Sequence, residues 1–169
     1  MKLQVLSLIA ASALLAACAS EPQEQATTTQ TSQQAAAPAA PAVKTPAPGS
    51  VEDFLVNVGD RVFFDFDKSD LRPDATATLD KQAAFLRRYG QYSIVVEGHA
   101  DERGTREYNL ALGERRANSV REYMVAAGIS GDRIRIISYG KERPAVEGTG
   151  EAVWAQNRRA VTVLQRVGS

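Results

Sequence analysis

Residues 19–49 carry five of the chain's seven prolines and only one large aliphatic residue, Val43, in a background of alanine, threonine and glutamine. Such a segment buries too little apolar surface to offset the conformational entropy that ordering would cost. We therefore predict a disordered tether here, with a fold forming only downstream, over residues 50–169. A low-complexity tail without a spacing role is the alternative interpretation.

The N-terminus has the pattern of a secretory signal over residues 1–17. Lys2 supplies a positive charge, and residues 3–15 form an apolar run too short to span a bilayer as a stable helix. The run ends in Leu-Ala-Ala before Cys18, the chain's single cysteine, so no internal disulfide can form. This ending resembles a bacterial lipobox, which implies cleavage before Cys18 and acylation of that residue.

Acylation of Cys18 would make the chain a membrane-anchored protein, because two or more acyl chains hold a protein durably at a bilayer. The two residues directly after the cysteine are alanine and serine, and neither is aspartate. In the lipoproteins that this pattern resembles, that implies sorting to the outer membrane. An ordinary signal peptide with a coincidental cysteine is the alternative.

Length and charge limit what the rest of the chain can be. With 169 residues, the chain has room for one ordinary domain plus tails. Its formal net charge is zero, with 20 basic and 20 acidic residues. A nucleic-acid partner would require a basic surface, so we expect none.

Hydrophobic periodicity predicts alternating strands and helices downstream of the tether. Predicted strands cover residues 60–67, 92–97, 133–139 and 159–164. Predicted helices begin at Ser50, Pro73, Thr105 and Glu151, with the third running to about Ala127. This order, β-α-β-α-β-β, predicts a two-layer α/β sandwich, a small mixed sheet with helices on one face.

Local signals within these elements make finer predictions. Val62, Phe64 and Phe66 alternate on one face of the first strand, and Gly90 is predicted to cap the first long helix. Trp154 is expected to pack inward. Helical crossovers favour parallel neighbouring strands, whereas the last strand follows a non-helical connection and can run antiparallel.

The densest cluster of charge lies in residues 97–116, predicted as a strand end, a polar loop and half a helix. Asp101 lies just past the strand, where open α/β sheets place ligands, and Arg116 lies about three turns into the helix. A carboxylate and a guanidinium that converge would bind a ligand carrying an ammonium and a carboxylate. Alternatively, these charges pair with one another as a structural network.

An enzymatic interpretation depends on His99, Asp101 and Glu102, which would make the protein a hydrolase. The chain has one histidine and no other cysteine beyond Cys18, so a zinc site would need carboxylates for its remaining ligands. Nucleophile-elbow, phosphate-loop and dinucleotide motifs are absent from the sequence. We therefore predict no catalysis, no cofactor and no metal, with His99 bracing the loop through hydrogen bonds.

Four motifs occur in order along the chain: FDFDKSDL, EGHADERGTREYNLALGERRANSVREYM, SYGKERPAV and QNRRAVTV. Over about residues 60–166 they closely resemble the OmpA-like peptidoglycan-binding domain family. DERGT, LGERRANSV and SYGKE are most similar to the lipoproteins of that family that work with the Tol proteins. The resemblance implies a peptidoglycan site formed by Phe66, Asp67, Asp101, Asn109, Leu112 and Arg116.

The resemblance also implies the ligand and the partners. The ligand would be the diaminopimelate of peptidoglycan stem peptides, and the protein partners would be TolB and other Tol proteins. The protein would face the periplasm of a Gram-negative bacterium and support envelope integrity and outer-membrane constriction in cell division. Arg158 and Arg159, in the Asn-Arg-Arg motif, are predicted to be partly structural. A general wall anchor outside the Tol system is the alternative.

Overall fold

The computed structural model describes residues 45–166. The predicted signal peptide, the lipidation site Cys18 and most of the predicted tether lie outside the described residues. Gly49 already belongs to the fold, because it is buried and its carbonyl oxygen accepts a hydrogen bond from the Tyr92 hydroxyl at 2.9 Å. In this part of the chain, no helix combines the length and the hydrophobicity that crossing a bilayer requires.

The described part contains four helices and four strands. In chain order they are α1, Val51–Asp53, extended by a π-helical turn, Phe54–Val58; β1, Arg61–Phe63; α2, Pro73–Arg88; β2, Tyr92–His99; α3, Arg106–Ala126; a 3-10 turn, Gly131–Arg133; β3, Ile134–Gly140; α4, Glu151–Asn157; and β4, Arg159–Arg166. The predicted α/β class and element order are confirmed.

The four strands form one mixed sheet in the order β1-β4-β2-β3. β2 and β3 are parallel neighbours, as expected for strands joined by the helical crossover α3. β4 lies between β1 and β2 and is antiparallel to both, which confirms the direction predicted for the last strand. Thus β1 and β2 run in the same direction without pairing, because β4 takes the position between them.

The apolar core lies between the sheet and the helices α2 and α3. Its buried members include Leu79, Ala83, Leu86, Ile94, Val96, Ala117, Val120 and Met124. Each large side chain buried in this way stabilises the fold by roughly 1.5–3 kcal/mol relative to exposure. Side chains on the other face of the sheet are more accessible, and Val163 is 37% exposed.

The first strand is shorter than its sequence pattern predicted. β1 ends at Phe63, and Phe64 is buried, but Phe66 is 56% exposed instead of sharing the inward face. Asp67 adopts a φ of 57°, a left-handed conformation that is uncommon for residues other than glycine. The chain therefore turns sharply at this point, which brings Phe66 to the surface.

The helix ends agree with the sequence signals except at one position. The Thr105 hydroxyl accepts a hydrogen bond from a backbone N–H in the first turn of α3, as predicted for its cap. Gly128, at φ 90°, follows the end of that helix. Gly90 likewise follows the C-cap residue of its helix, Tyr89, but it does not adopt the positive φ of a glycine cap, so the prediction of a cap there is wrong.

Candidate functional site

Two glycines set the position of α3 on the sheet. A Cβ atom on Gly98 would lie 1.8 Å from the carbonyl oxygen of Gly113, and one on Gly113 would lie 2.4 Å from the Ser138 hydroxyl. Strand and helix therefore approach more closely than any side chain would allow. This contact places the next turn of α3, which carries Arg116, against the end of β2 at His99.

Arg116 is fully buried and holds the turn after β1 against the end of β2. Its Nε donates to the carbonyl oxygen of Lys68 at 2.8 Å, Nη1 donates to that of His99 at 2.8 Å, and Nη2 donates to that of Asp65 at 3.1 Å. All three acceptors are neutral. Among residues 45–166, no carboxylate lies within 4.0 Å of this guanidinium.

The charge of Arg116 is thus only partly compensated. Burial lowers the pKa of Arg116 to about 10, although the nearby Asp101 acts in the opposite direction. The side chain therefore stays cationic at neutral pH. A guanidinium has five N–H donors, so one on each terminal nitrogen has no partner within the described chain. A carboxylate can accept hydrogen bonds from such free N–H groups.

Asp101 has a different environment, in which strong donors surround the carboxylate. Arg103 donates to it from Nε at 3.2 Å and from Nη2 at 2.6 Å, and Arg158 Nη1 donates at 3.4 Å. Burial acts to raise the pKa of Asp101, but the hydrogen bonds from Arg103 and Arg158 outweigh it and hold this pKa below its usual value. The residue is therefore ionised at neutral pH.

The ion pairs of Asp101 agree in part with the alternative interpretation of the sequence, in which the charges pair with one another as a structural network. Asp101 does belong to a network of paired charges, which extends through Arg158 to Glu151 at 2.5 Å. Arg116 does not join that network through a carboxylate. The two residues predicted to act together therefore differ, since one is saturated with ion pairs and the other has only carbonyl partners.

One cavity of about 160 Å³ gathers all the residues predicted to form the peptidoglycan site. It is lined by Phe66, Asp67, Asp101, Asn109, Leu112 and Arg116, and also by Arg103, Gly104 and Tyr108. The last three were not among the residues predicted to form the site. The available sequence signal for these three residues was their closeness to Asp101 along the chain. They belong to the loop after β2 and to the first turn of α3, and both lie beside the end of β2.

Beside the cavity, the Arg103 guanidinium contacts two aromatic rings. The Arg103 guanidinium carbon lies 3.9 Å from the ring centroid of Phe66 and 4.0 Å from that of Trp154. The Trp154 indole donates to Glu102 at 2.8 Å. Trp154 is therefore half-buried at the site and not packed into the core, which corrects the inward packing predicted for it.

Polar contacts fix the two chain segments that face each other across the cavity. The Asn109 amide donates to the carbonyl oxygen of Arg103 at 2.8 Å, and this contact holds the loop before α3. The Tyr108 hydroxyl donates to the Asp67 carboxylate across the opening. Asp67 thus combines an uncommon backbone conformation with a side-chain contact that stabilises it.

His99 does not have the role predicted for it. Neither of its ring nitrogens has a hydrogen-bond partner in the described part of the chain, although the side chain is only 2% exposed. Burial, together with the positive charge of Arg159, lowers the pKa of His99 to about 4. The imidazole is neutral at pH 7, and its polar neighbours are a Glu97 carboxylate oxygen 3.7 Å from Nε2 and the backbone of Arg143, which acts to raise the pKa of His99. Only the backbone carbonyl of His99 contacts Arg116.

The three residues of the hydrolase alternative do not meet in the cavity. Asp101 lines it, whereas the side chains of His99 and Glu102 do not. Within residues 45–166, no group of three or more His, Cys, Asp or Glu side chains is placed to hold a metal ion.

Arg158 and Arg159 both have structural contacts. Arg158 Nε donates to the carbonyl oxygen of Phe64 at 3.0 Å, and Arg159 Nη2 donates to that of Arg143 at 3.2 Å. Arg158 also donates to Asp101 at 3.4 Å, so it connects the segment directly after β1 to the site.

Comparison with known proteins identifies close relatives. Residues 63–158 match the OmpA family. The chain is 61% identical to the peptidoglycan-associated lipoprotein of Rhizobium meliloti strain 1021, over 72% of this chain and 69% of that protein. It is 60% identical to the protein of the same name in Brucella melitensis, over 72% of each chain. The crystal structure of the peptidoglycan-associated lipoprotein from Burkholderia pseudomallei superposes with a TM-score of 0.61 at 43% identity, covering 63% of this chain and 90% of that one.

Proposed function

This chain belongs to the OmpA family, and we propose that it is a peptidoglycan-binding lipoprotein of the bacterial outer membrane. Residues 50–169 would bind the cell wall, and acylated Cys18 would anchor the chain. Binding would be non-covalent and would change no bond in the wall. The name shared by relatives about 60% identical supports this proposal.

The observation that carries the proposal is the buried Arg116 guanidinium with only neutral partners. A buried cation is costly unless an anion compensates for it, and here the described chain provides no carboxylate within ion-pair distance. The residue also lines a cavity, so an external carboxylate is the natural counter-ion. We therefore expect an anionic group of the ligand to bind at Arg116.

Diaminopimelate has the matching chemistry. Its free end carries an ammonium and a carboxylate on one carbon, so the carboxylate would bind Arg116 and the ammonium would bind Asp101. Lysine at the same position of a stem peptide lacks the carboxylate at that end. Because it would leave Arg116 without an anion, a lysine-containing stem should bind much more weakly.

We propose the protein partners from the sequence motifs that resemble the Tol-associated lipoproteins of the family. TolB and other Tol proteins would bind this chain, and the assembly would support envelope integrity and outer-membrane constriction during division. A general wall anchor outside that system would lack TolB binding. Copurification of TolB with the full chain distinguishes the two, and its absence would favour the general anchor.

The test of the wall-binding function is a titration of the full chain with a diaminopimelate-containing muropeptide and with its lysine counterpart. We expect clear preference for the former, and loss of binding in Asp101→Ala and Arg116→Ala. Arg116→Lys keeps the charge and serves as a second variant if Arg116→Ala does not fold. Undiminished binding by the Asp101 and Arg116 variants would refute the site.

The same samples test the hydrolase alternative. Purified peptidoglycan is incubated with the full chain, and soluble fragments are measured. We expect none, because His99 and Glu102 lie outside the cavity. Released fragments that disappear in His99→Phe would overturn the binding-only function.

A further inference from the structure

The carboxylate of Asp101 has no acceptor site left for a ligand. An ionised carboxylate offers about four lone-pair sites, two on each oxygen. Oδ1 accepts from the backbone N–H of Arg103 at 3.1 Å and from its Nε at 3.2 Å. Oδ2 accepts from Arg103 Nη2 at 2.6 Å and from Arg158 Nη1 at 3.4 Å. A ligand ammonium must therefore displace one of these donors.

We propose that Arg103 is a positioning residue that closes the site, and that a ligand ammonium reaches Asp101 only by displacing the Arg103 guanidinium. This inference rests on the proposed function, because it concerns how the same cavity admits its ligand. The displacement would leave the backbone N–H of Arg103 on Oδ1 and Arg158 on Oδ2. One acceptor site then opens on each oxygen.

Arg103 is the donor best able to leave. Its side chain is 30% exposed, whereas that of Arg158 is 6% exposed. Arg158 is also held elsewhere, by the carbonyl oxygen of Phe64 at 3.0 Å and by Glu151 at 2.5 Å. Moving Arg158 would break a contact to the backbone of the core, and moving the Arg103 side chain would break none.

The surroundings of Arg103 provide a second position for its guanidinium. Glu151 Oε2 lies 3.9 Å from Arg103 Nη2, at the edge of ion-pair distance. The Arg103 guanidinium carbon lies 3.9 Å from the ring centroid of Phe66 and 4.0 Å from that of Trp154. A guanidinium is attracted to an aromatic face within about 6 Å of the ring centroid, so the Arg103 guanidinium can move toward Glu151 and remain within reach of the rings.

This arrangement lowers the affinity for every ligand that binds Asp101 through a cation, and it does so by one common factor. The factor is the fraction of molecules in which Asp101 is free of the Arg103 side chain. A stem peptide with diaminopimelate recovers the loss through Arg116, whereas one with lysine does not. Arg103 would therefore set the threshold for binding without changing the preference between the two ligands.

The experiment titrates the full chain and its Arg103→Ala variant with the diaminopimelate muropeptide and with its lysine counterpart. Removing a partly exposed ion pair that competes with the ligand should tighten binding of both roughly two- to fivefold, with their ratio unchanged. Arg103→Lys should fall between the wild type and Arg103→Ala, because an ammonium cannot form the paired contact to both oxygens. A merely structural role would not move both affinities upward by one factor.

Arg106→Ala is the matched control. Arg106 is an exposed arginine three residues away, near Glu142 at 3.5 Å, and it does not line the cavity. The affinities of the Arg106→Ala variant for both muropeptides should equal those of the wild type. Arg103→Gln repeats the test with a neutral side chain if Arg103→Ala does not fold.

Two results would overturn the proposal while leaving the proposed function intact. Unchanged affinity in Arg103→Ala would show that Arg103 does not compete with the ligand. Weaker binding of the diaminopimelate muropeptide, with no gain for the lysine one, would show that Arg103 contacts the ligand carboxylate. Failure of the wild type to bind either muropeptide would refute the proposed function and this inference together.

Discussion

The two ends of strand β2 differ sharply in what they bury. Its first half places Tyr92, Ile94 and Val96 in the apolar core, and the one polar atom among these side chains donates to Gly49. Its last residue, His99, buries an imidazole without hydrogen-bond partners, and Asp101 follows two positions later. One continuous strand thus joins an apolar environment to a buried polar site.

This difference separates stability from binding along a single element. Apolar burial stabilises the first end without needing precise partners. At the other end, Arg116 and Asp101 are buried charges whose energetic balance depends on their neighbours, and shifted pKa values of this kind cluster at functional sites. The close contact of Gly98 with Gly113 fixes the boundary between the two ends.

The largest expected effect is at the apolar end. Ile94→Ala removes most of a fully buried side chain, and such truncations lower the free energy of unfolding by about 2–5 kcal/mol. The affinity of the folded protein for the muropeptide should not change. Urea unfolding followed by titration at low temperature measures both quantities.

Val95→Ala is the control for that variant. Val95 is the next residue of the same strand, but it lies on the more accessible face and is only half-buried. Its truncation should cost less than half of the loss in Ile94→Ala. A large change in affinity in either variant would contradict the separation of the two ends.

The next effect concerns pH at the polar end. Burial holds the pKa of folded His99 at about 4, below the unfolded value of about 6.5. The unfolded state therefore binds more protons, and the free energy of unfolding falls as the pH drops from about 6.5 to 4. The loss from this residue should reach about 3 kcal/mol at pH 4. Urea unfolding at a series of pH values measures it.

His99→Phe should remove most of that dependence, because phenylalanine does not titrate. The depressed pKa of Asp101 acts in a lower range, where its stabilising contribution is lost below the unfolded value of about 3.9. The two groups can thus be separated by their pH windows. An equal loss of stability between pH 6.5 and 4 in both proteins would show that His99 is not responsible.

The smallest effect is expected at the rim of the cavity. Tyr108→Phe removes the hydroxyl that donates to Asp67, and because Tyr108 is 45% exposed, the free energy of unfolding should fall only slightly. Affinity should weaken slightly, since the Asp67 turn would be less well fixed. Tyr123→Phe is the matched control, because its hydroxyl donates to Asp80 away from the cavity.

Much of the fold was predictable because local sequence determines local structure. The cap at Thr105, the stripe of Ala117, Val120 and Met124, and the β-branched strand after Tyr92 all formed as predicted. The site residues were also brought into one cavity, since Asp101 follows a strand and Arg116 lies on the helix that packs against it. The relation between Asp101 and Arg116 depends on residues close together in the chain, whereas Phe66 and Asp67 come from the turn after β1, which is distant in sequence.

The amino-acid sequence alone determined which elements form, the α/β class and the set of charges around Asp101. Only the tertiary structure decided that β4 lies between β1 and β2, that Phe66 turns outward, and which partner each charge takes. Hydrophobic periods describe one element at a time, whereas strand order depends on pairing between segments far apart in sequence. The saturation of Asp101 by Arg103 depends on distances of a few tenths of an ångström, which no sequence pattern specifies.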